Sequence, residues 1–441
     1  MTPAKYSFLL LIVSGSLFAQ QMSHPVIPTL SGGDDSFSSP RPFSVFPDTV
    51  DILAVMVQFQ QDNDTRTSGD GRFALAGPTD IIDPAPRNQQ YVESHLTFVR
   101  NYFRKVSKGK LVLRTTVVDS LFTLPSIMQT YSPPREGSTI AVGNLVRDTW
   151  QLVDVSGRVT DFSQYDCFVV FHAGVGRDID LVGILGYDPT PFDIPSLYLG
   201  LGAFRSYYGE NYQGIPVSGG AFHITNTIVV PETESRTLPT ATGDVLLELG
   251  INGLLCASVG NFLGLPDLFD TNTGRSGIGR FGLMDGQAIF SFAGVFPPEP
   301  SAWEKYWLGW IDPIVVPPGE NTLSLPAVSL PPQVSPTDTI YRVSISPQEY
   351  YLIENRNRDA LRNGQTVTSI ANGVPRAQVF PRDTVGFNAF DVAQLSGVIT
   401  DVEDFDWSLP GGVDDNGTFF DGGVLVWHVD EAVIAAGLAL N

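Results

Sequence analysis

Two cysteines in 441 residues, Cys167 and Cys256, are too few for a disulfide framework. Both stand in apolar segments, where a buried free thiol is the expected state. Basic residues are scarce too: 26 Lys and Arg face 47 Asp and Glu, a formal net charge of -21. A field of that sign repels phosphate backbones and anionic membrane surfaces, which excludes nucleic acid as a partner. No apolar run approaches the roughly 20 residues of a membrane-crossing helix, so no membrane insertion is expected. Only five histidines are present, and no two of them have the spacing that sets a pair of metal ligands on one helix face.

The N-terminus carries an address. "MTPAKYSFLLLIVSGSLFAQQ" has one Lys5, an apolar run from Tyr6 to Phe18 and Ala19 where a signal peptidase would cut. Residues 1–19 therefore read as a secretory signal, and the protein as secreted or extracellular. No Cys follows the cut, which argues against a lipid anchor.

Residues 20–50 are rich in Pro, Ser and Gly and read as a linker or extended lead-in. "DILAVMVQFQ" then suits a strand buried on both faces. Tyr91, His95, Phe98, Val99, Tyr102, Phe103 and Val106 recur at helical intervals ahead of a Gly109 stop. "KLVLRTTVVDSLFTLP", "GSTIAVGNLVRDTWQLV" and "YDCFVVFHAG" continue as strand, helix and buried strand, which predicts an α/β layer. A strand pair is expected around "GGAFHITNTIVVPE". "TGDVLLELGINGLLCASVGNFLG" reads as one helix, apolar on nearly every face and so buried all round. Beyond about residue 313, short apolar runs alternate with Pro, Asn, Asp and Gly turns. The expected fold class is α/β (α+β): one domain over 51–313 and a smaller β-rich domain over 314–441, the latter expected to be incomplete because the chain stops at "AGLALN".

The stretch "LLCASVGNFLGLPDLFD" carries the functional question. Zinc peptidases of the H-E-x-x-H-x-x-G-x-x-H/D type use two His four apart on a helix, a Glu as general base, a Gly that turns the chain, a third ligand and a Met-containing turn below. Gly264 and Asp267 occupy the Gly and third-ligand positions, and Met284 in "GRFGLMDGQ" stands where the Met-turn belongs. In the same register Ala257 replaces the first His, Ser258 the Glu and Asn261 the second His. Ala offers no donor atom, Ser is a poor base and an Asn amide is a weak zinc ligand.

"FLGLPDLFDTNTGRSGIGRFGLMDG" resembles the region after the zinc helix in the immune inhibitor A family of secreted metallopeptidases, whose helix reads His-Glu-Phe-Gly-His and leads into Gly-Leu-Pro-Asp-Leu-Tyr-Asp. "VRNYFRKVSKGKLVL", "YDCFVVFHAGVGRD", "EPSAWEKYWLGWIDP", "YYLIENRNRD" and "GGVLVWHVDE" extend the likeness over roughly residues 50–431. The resemblance implies a metzincin-like metallopeptidase domain over 51–313, and the departures at Ala257, Ser258 and Asn261 imply that no catalytic residue is intact and that zinc is lost.

Other residues read more plainly. His24 lies in the lead-in, His95 on a helix face, and His172, His223 and His428 in three strands; a hydrogen-bonded structural role suits each, and only the fold can bring His172 and His223 together. Ser258 sits inside a helix without a G-x-S-x-G elbow, against a serine mechanism. Glu248 and Asn252, four apart on the expected helix, suit a local contact. Asp270, Asp414 and Asp415 belong to acidic turns that calcium could use, although a solvated loop is the simpler reading. Asp267 is expected to accept backbone N–H bonds from its own turn. The leading reading is a pseudopeptidase that binds a peptide or protein without cleaving it. The alternatives are a structural module of a longer protein and an active metallopeptidase with an unrecognised metal site. An open cleft favours binding and a plugged one the structural module.

Overall fold

The computed structural model describes residues 48–75, 82–135, 137–240, 243–270, 275–330, 340–382, 395, 397–413 and 416–440. The signal segment 1–19, the lead-in up to residue 47, and His24, Asp414 and Asp415 lie outside the described residues.

The fold is mixed α/β with several sheets. Its main sheet begins with β1 (Thr49–Gln58), whose apolar run is buried from Ile52 to Val57. Helix α1 (Gln89–Val106) follows, started by the Asn88 side chain accepting from the Tyr91 N–H, and it buries the seven apolar and aromatic positions read from its periodicity. Next come β2 (Val112–Thr123), α2 (Ile140–Ser156) and β3 (Cys167–Val175), the helix stopped by Gly157 in the left-handed conformation. Two more strands, β4 (Leu197–Leu199) and β5 (Thr227–Thr233), complete a five-stranded sheet in the order β2-β1-β3-β5-β4. All neighbours are parallel except the antiparallel edge strand β4. Strands covered on both faces explain the continuous apolar runs.

Two sequence expectations fail locally. In "GGAFHITNTIVVPE" the segment Phe222–Ile224 pairs with Ile215–Val217, while β5 enters the main sheet, so the two halves do not pair with each other. The long helix expected over 242–264 is a hairpin, β6 (Arg236–Thr240) and β7 (Gly243–Leu247), followed by a shorter helix α3 (Asn252–Phe262). The reason lies at the join. Gly250 N–H donates to the Ala293 carbonyl at 2.7 Å and Ile251 N–H to Asp83 Oδ2 at 3.3 Å, so these donors are spent outside any helix.

After α4 (Ala302–Trp307), a sheet of Ile314–Val315, β8 (Tyr341–Ser344), β9 (Glu349–Asn357) and an edge strand packs over a small core that includes Trp303, Ile340, Tyr350 and Leu352. A second sheet is formed by β10 (Gln365–Ala371), β11 (Val374–Phe380) and β12 (Val398–Val402), and the edge strand of the first is β13 (Gly422–Asp430). Val398, Ile399, Val402, Phe405 and Trp407 join the main core beside α1. Phe405 sits edge-on to Phe98 and Tyr102, and Asn101 Nδ2 donates to the Thr400 carbonyl at 2.9 Å. Arg356 is the buried tie between these parts: it forms bidentate bonds to Asp406 at 2.7 and 2.5 Å and reaches the carbonyls of Phe281 and Glu299. No helix among the described residues is long and apolar enough to cross a membrane.

Candidate functional site

The helix α3 is buried at every position from Asn252 to Asn261. Two glycines allow that burial. A Cβ on Gly253 would overlap the Ile289 carbonyl, and one on Gly260 would stand 2.7 Å from Met284 Sδ. The helix ends in a full Schellman turn: Leu265 N–H donates to the Gly260 carbonyl at 3.0 Å and Gly264 N–H to the Asn261 carbonyl at 2.9 Å, with Gly264 at φ +88°. The sequence "GNFLGL" dictates this, because only Gly takes that φ without strain.

The turn brings the motif remnants together. Asn261 Nδ2 donates to the Leu265 carbonyl at 3.1 Å and to Asp267 Oδ1 at 3.2 Å. Asp267 is half-buried, and one of the bonds it accepts comes from the Asn261 side chain. Met284 lies under Gly260; its N–H donates to Glu304 Oε1 at 2.7 Å and its carbonyl accepts from Leu268 N–H at 2.9 Å. Glu304 also closes the capping box of α4 with Ser301, and Trp307 Nε1 donates to the Gly264 carbonyl at 3.0 Å. Thus Gly264, Asp267 and Met284 gather at the C-terminal end of α3.

What the site can do chemically is limited. Ala257 and Ser258 are fully buried, and Ser258 Oγ has no hydrogen-bond partner, so no base touches it. Asn261 spends both amide hydrogens on Leu265 and Asp267, and its Oδ1 is buried without a partner. A zinc ion needs three or four N, S or O donors around one point. Ala257 supplies none and Asn261 presents its amide nitrogen to Asp267, so the residues present do not fit zinc. Among the described residues no group of three or more His, Cys, Asp or Glu is placed to hold a metal ion.

The remaining sequence candidates are dispersed. His95 is buried with Nδ1 2.8 Å from Asn252 Oδ1 and Nε2 3.7 Å from Asp83. Asn252 is thus the first residue of α3 and holds α1 to it, while Glu248 precedes the helix and accepts from Ile82 N–H at 3.4 Å, so the two do not share a helix. His172 donates from Nδ1 to the Ala173 carbonyl, and burial pushes its pKa down to about 4. His223 stands in the Phe222–Ile224 strand opposite Pro216, and exposed His428 meets Glu349 at 2.9 Å. Cys167 and Cys256 are buried free thiols whose pKa burial raises. Asp270 is exposed at the end of its turn.

One ionisable cluster was not singled out from sequence. At the carboxyl ends of β3 and β5 lie Asp178, Asp193, Glu232, Glu234 and Arg236, all buried. Burial pushes Glu232 up to about 7 and Asp193 up to about 6. Burial and the neighbouring Asp178 raise Glu234 well above the usual carboxylate range. The available signal was "VVPETESR", where two acids and an arginine continue an apolar strand without a break. No protein-family model matches the chain, and no curated protein matches its sequence.

Proposed function

We propose that this chain is a secreted, catalytically inactive relative of the immune inhibitor A metallopeptidases, a metzincin-like domain that holds a peptide or protein segment without cleaving it. The observation that carries this reading is the end of α3: Gly264, Asp267 and Met284 stand together there, while the positions that would supply two ligands and a base hold Ala257, Ser258 and Asn261. Zinc has no part in it, and calcium would be confined to acidic turns such as that at Asp270. Secretion rests on the signal-like residues 1–19.

The binding element is β4. It is the antiparallel edge of the main sheet, and its Tyr198 ring lies 6.5 Å from that of Phe262 on α3. An edge strand beside a helix accepts an extended chain through backbone hydrogen bonds. Contact falls on β4 and the half-buried Phe262 and Asp267, since Ala257 and Ser258 are covered.

That same covering favours a second reading, a structural module with no cleft function. A peptide array probed with the purified chain separates the two. Capture of extended peptides, weakened at least tenfold by Tyr198→Ala, supports the binding reading; no capture leaves the structural module. Cleavage of any arrayed peptide by the purified chain contradicts both and returns the active metallopeptidase.

A further inference from the structure

Two carboxylic acids meet at one glycine where β3 and β5 end. A Cβ on Gly176 would overlap Glu234 Oε1 and stand 2.8 Å from Asp178 Oδ2, so both oxygens converge on the space that the glycine leaves open. Both side chains are fully buried. Glu234 Oε2 accepts from Arg236 Nη2 at 3.3 Å, while Oε1 receives no hydrogen bond from any donor among the described residues. Asp178 is held from its other side: it accepts from Ser196 N–H at 2.9 Å and from Ser196 Oγ at 2.8 Å. Ser196 immediately precedes β4, so these bonds fix the point at which that edge strand begins.

Two ionised carboxylates in such a place repel each other strongly, and a single proton between them turns the repulsion into a hydrogen bond. That proton is the donor that Oε1 lacks. The surrounding charges call for the same one. Arg236 and Arg177 are buried beside the pair, and Asp193 is the third acid, ionised at neutral pH because burial raises it only to about 6. Three acids and two arginines balance when one acid keeps its proton. Glu234 is the one that keeps it: burial and the charge of Asp178 raise it well above the usual carboxylate range. Burial raises Asp178 too, but the bonds from Glu234 and Ser196 work against that rise. Farther out, Glu232 faces Arg87 and Asp70, with Arg72 on the same cavity wall, and Arg135 pairs with Asp180 and Asp188.

We propose that Glu234 and Asp178 share one proton and form a pH-sensitive latch on the entry to β4. With the proton in place, Glu234 Oε1 donates to Asp178, and Asp178 stays on Ser196. Its loss at alkaline pH sets two like charges against each other in a buried site and frees the segment ahead of β4. The sign follows from linkage: the closed latch holds a proton that the open one releases, so opening is least favourable below the ordinary glutamate value of 4.5 and grows as pH rises above it, by about tenfold per pH unit until the closed form titrates.

Native-state hydrogen exchange on the full chain tests this, read between about pH 6 and about pH 9 and corrected for the chemical exchange rate. The Ser196 amide, which donates to Asp178, should lose protection by about tenfold or more over that interval. It should also stay less protected than the amide of Val55 at the centre of β1, the mark of a local opening. Glu234→Gln keeps a donor toward Asp178 and cannot titrate, so its Ser196 protection should hold constant within about threefold. Constant Ser196 protection in the parent overturns the proposal whether or not the variant folds. So does protection equal to that of Val55, which would mean that the segment opens only with the whole fold, and so does a folded Glu234→Gln chain that loses as much protection as the parent. No peptide enters this test, so its failure leaves the reading of β4 as a binding edge untouched.

Discussion

The side-chain amide of Asn261 donates to the carboxylate of Asp267 at 3.2 Å, so the residue near the end of α3 and the turn that follows it are joined to each other. The bond takes one amide hydrogen of Asn261 and one oxygen of Asp267. Asn261 also anchors the turn through the Leu265 carbonyl at 3.1 Å. Asn261→Ala should therefore lower stability by about 1–3 kcal/mol, read as a lower urea midpoint with an unchanged slope. A variant as stable as the parent would show that the contact carries no weight.

Two glycines of α3 should behave differently. Gly253→Ala places a methyl against the Ile289 backbone carbonyl, which has nowhere to go, and should cost more than about 4 kcal/mol. Gly260→Ala meets the flexible Met284 side chain at 2.7 Å and should cost about 1–3 kcal/mol. Adding Met284→Ala to Gly260→Ala should cost less than Met284→Ala does in the parent, because the clash is relieved. Additive costs in that double-mutant cycle would place Met284 elsewhere.

Arg356 serves Asp406, Phe281 and Glu299 from a fully buried position. Arg356→Met leaves Asp406 and Glu354 without their cation and should destabilise by about 3–5 kcal/mol. Chemical denaturation measures it, and a loss below about 1 kcal/mol would contradict the role given to this tie.

Stability should depend on pH through Glu232. Burial raises its folded pKa to about 7 from an ordinary value of 4.5, so the folded chain holds a proton that the unfolded chain releases. Its cost is absent below about pH 4.5, grows as pH rises, and is complete above about pH 7, on the order of 3 kcal/mol. Glu232→Gln should flatten the stability profile across that interval relative to the parent. His172 works in the opposite sense: held down at about 4, it costs stability as pH falls below its ordinary 6.5. Parallel profiles for the parent and Glu232→Gln would contradict the assignment.

Much of this was legible in the sequence, for identifiable reasons. The buried runs of β1 and β3 and the periodic face of α1 announce themselves because sheet and helix bury residues at fixed intervals. The Gly264 turn was readable because few residues tolerate its backbone. The start of α3 was not: Val245, Leu246 and Leu247 are as apolar as the helix that follows, and the break between them is set by bonds at Leu249, Gly250 and Ile251 that reach residues distant in sequence. Nor could spacing reveal that Arg236 and Glu234, two residues apart in sequence, lie near Asp178, which follows β3, and Asp193, which precedes β4.

The most direct test is elemental analysis of the purified chain beside a triple variant, Ala257→His, Ser258→Glu and Asn261→His. The native chain should be free of zinc, and the variant should take up a single zinc ion with Asp267 completing its ligands. Stoichiometric zinc in the native protein would contradict the account, because it would require ligands that α3 does not provide.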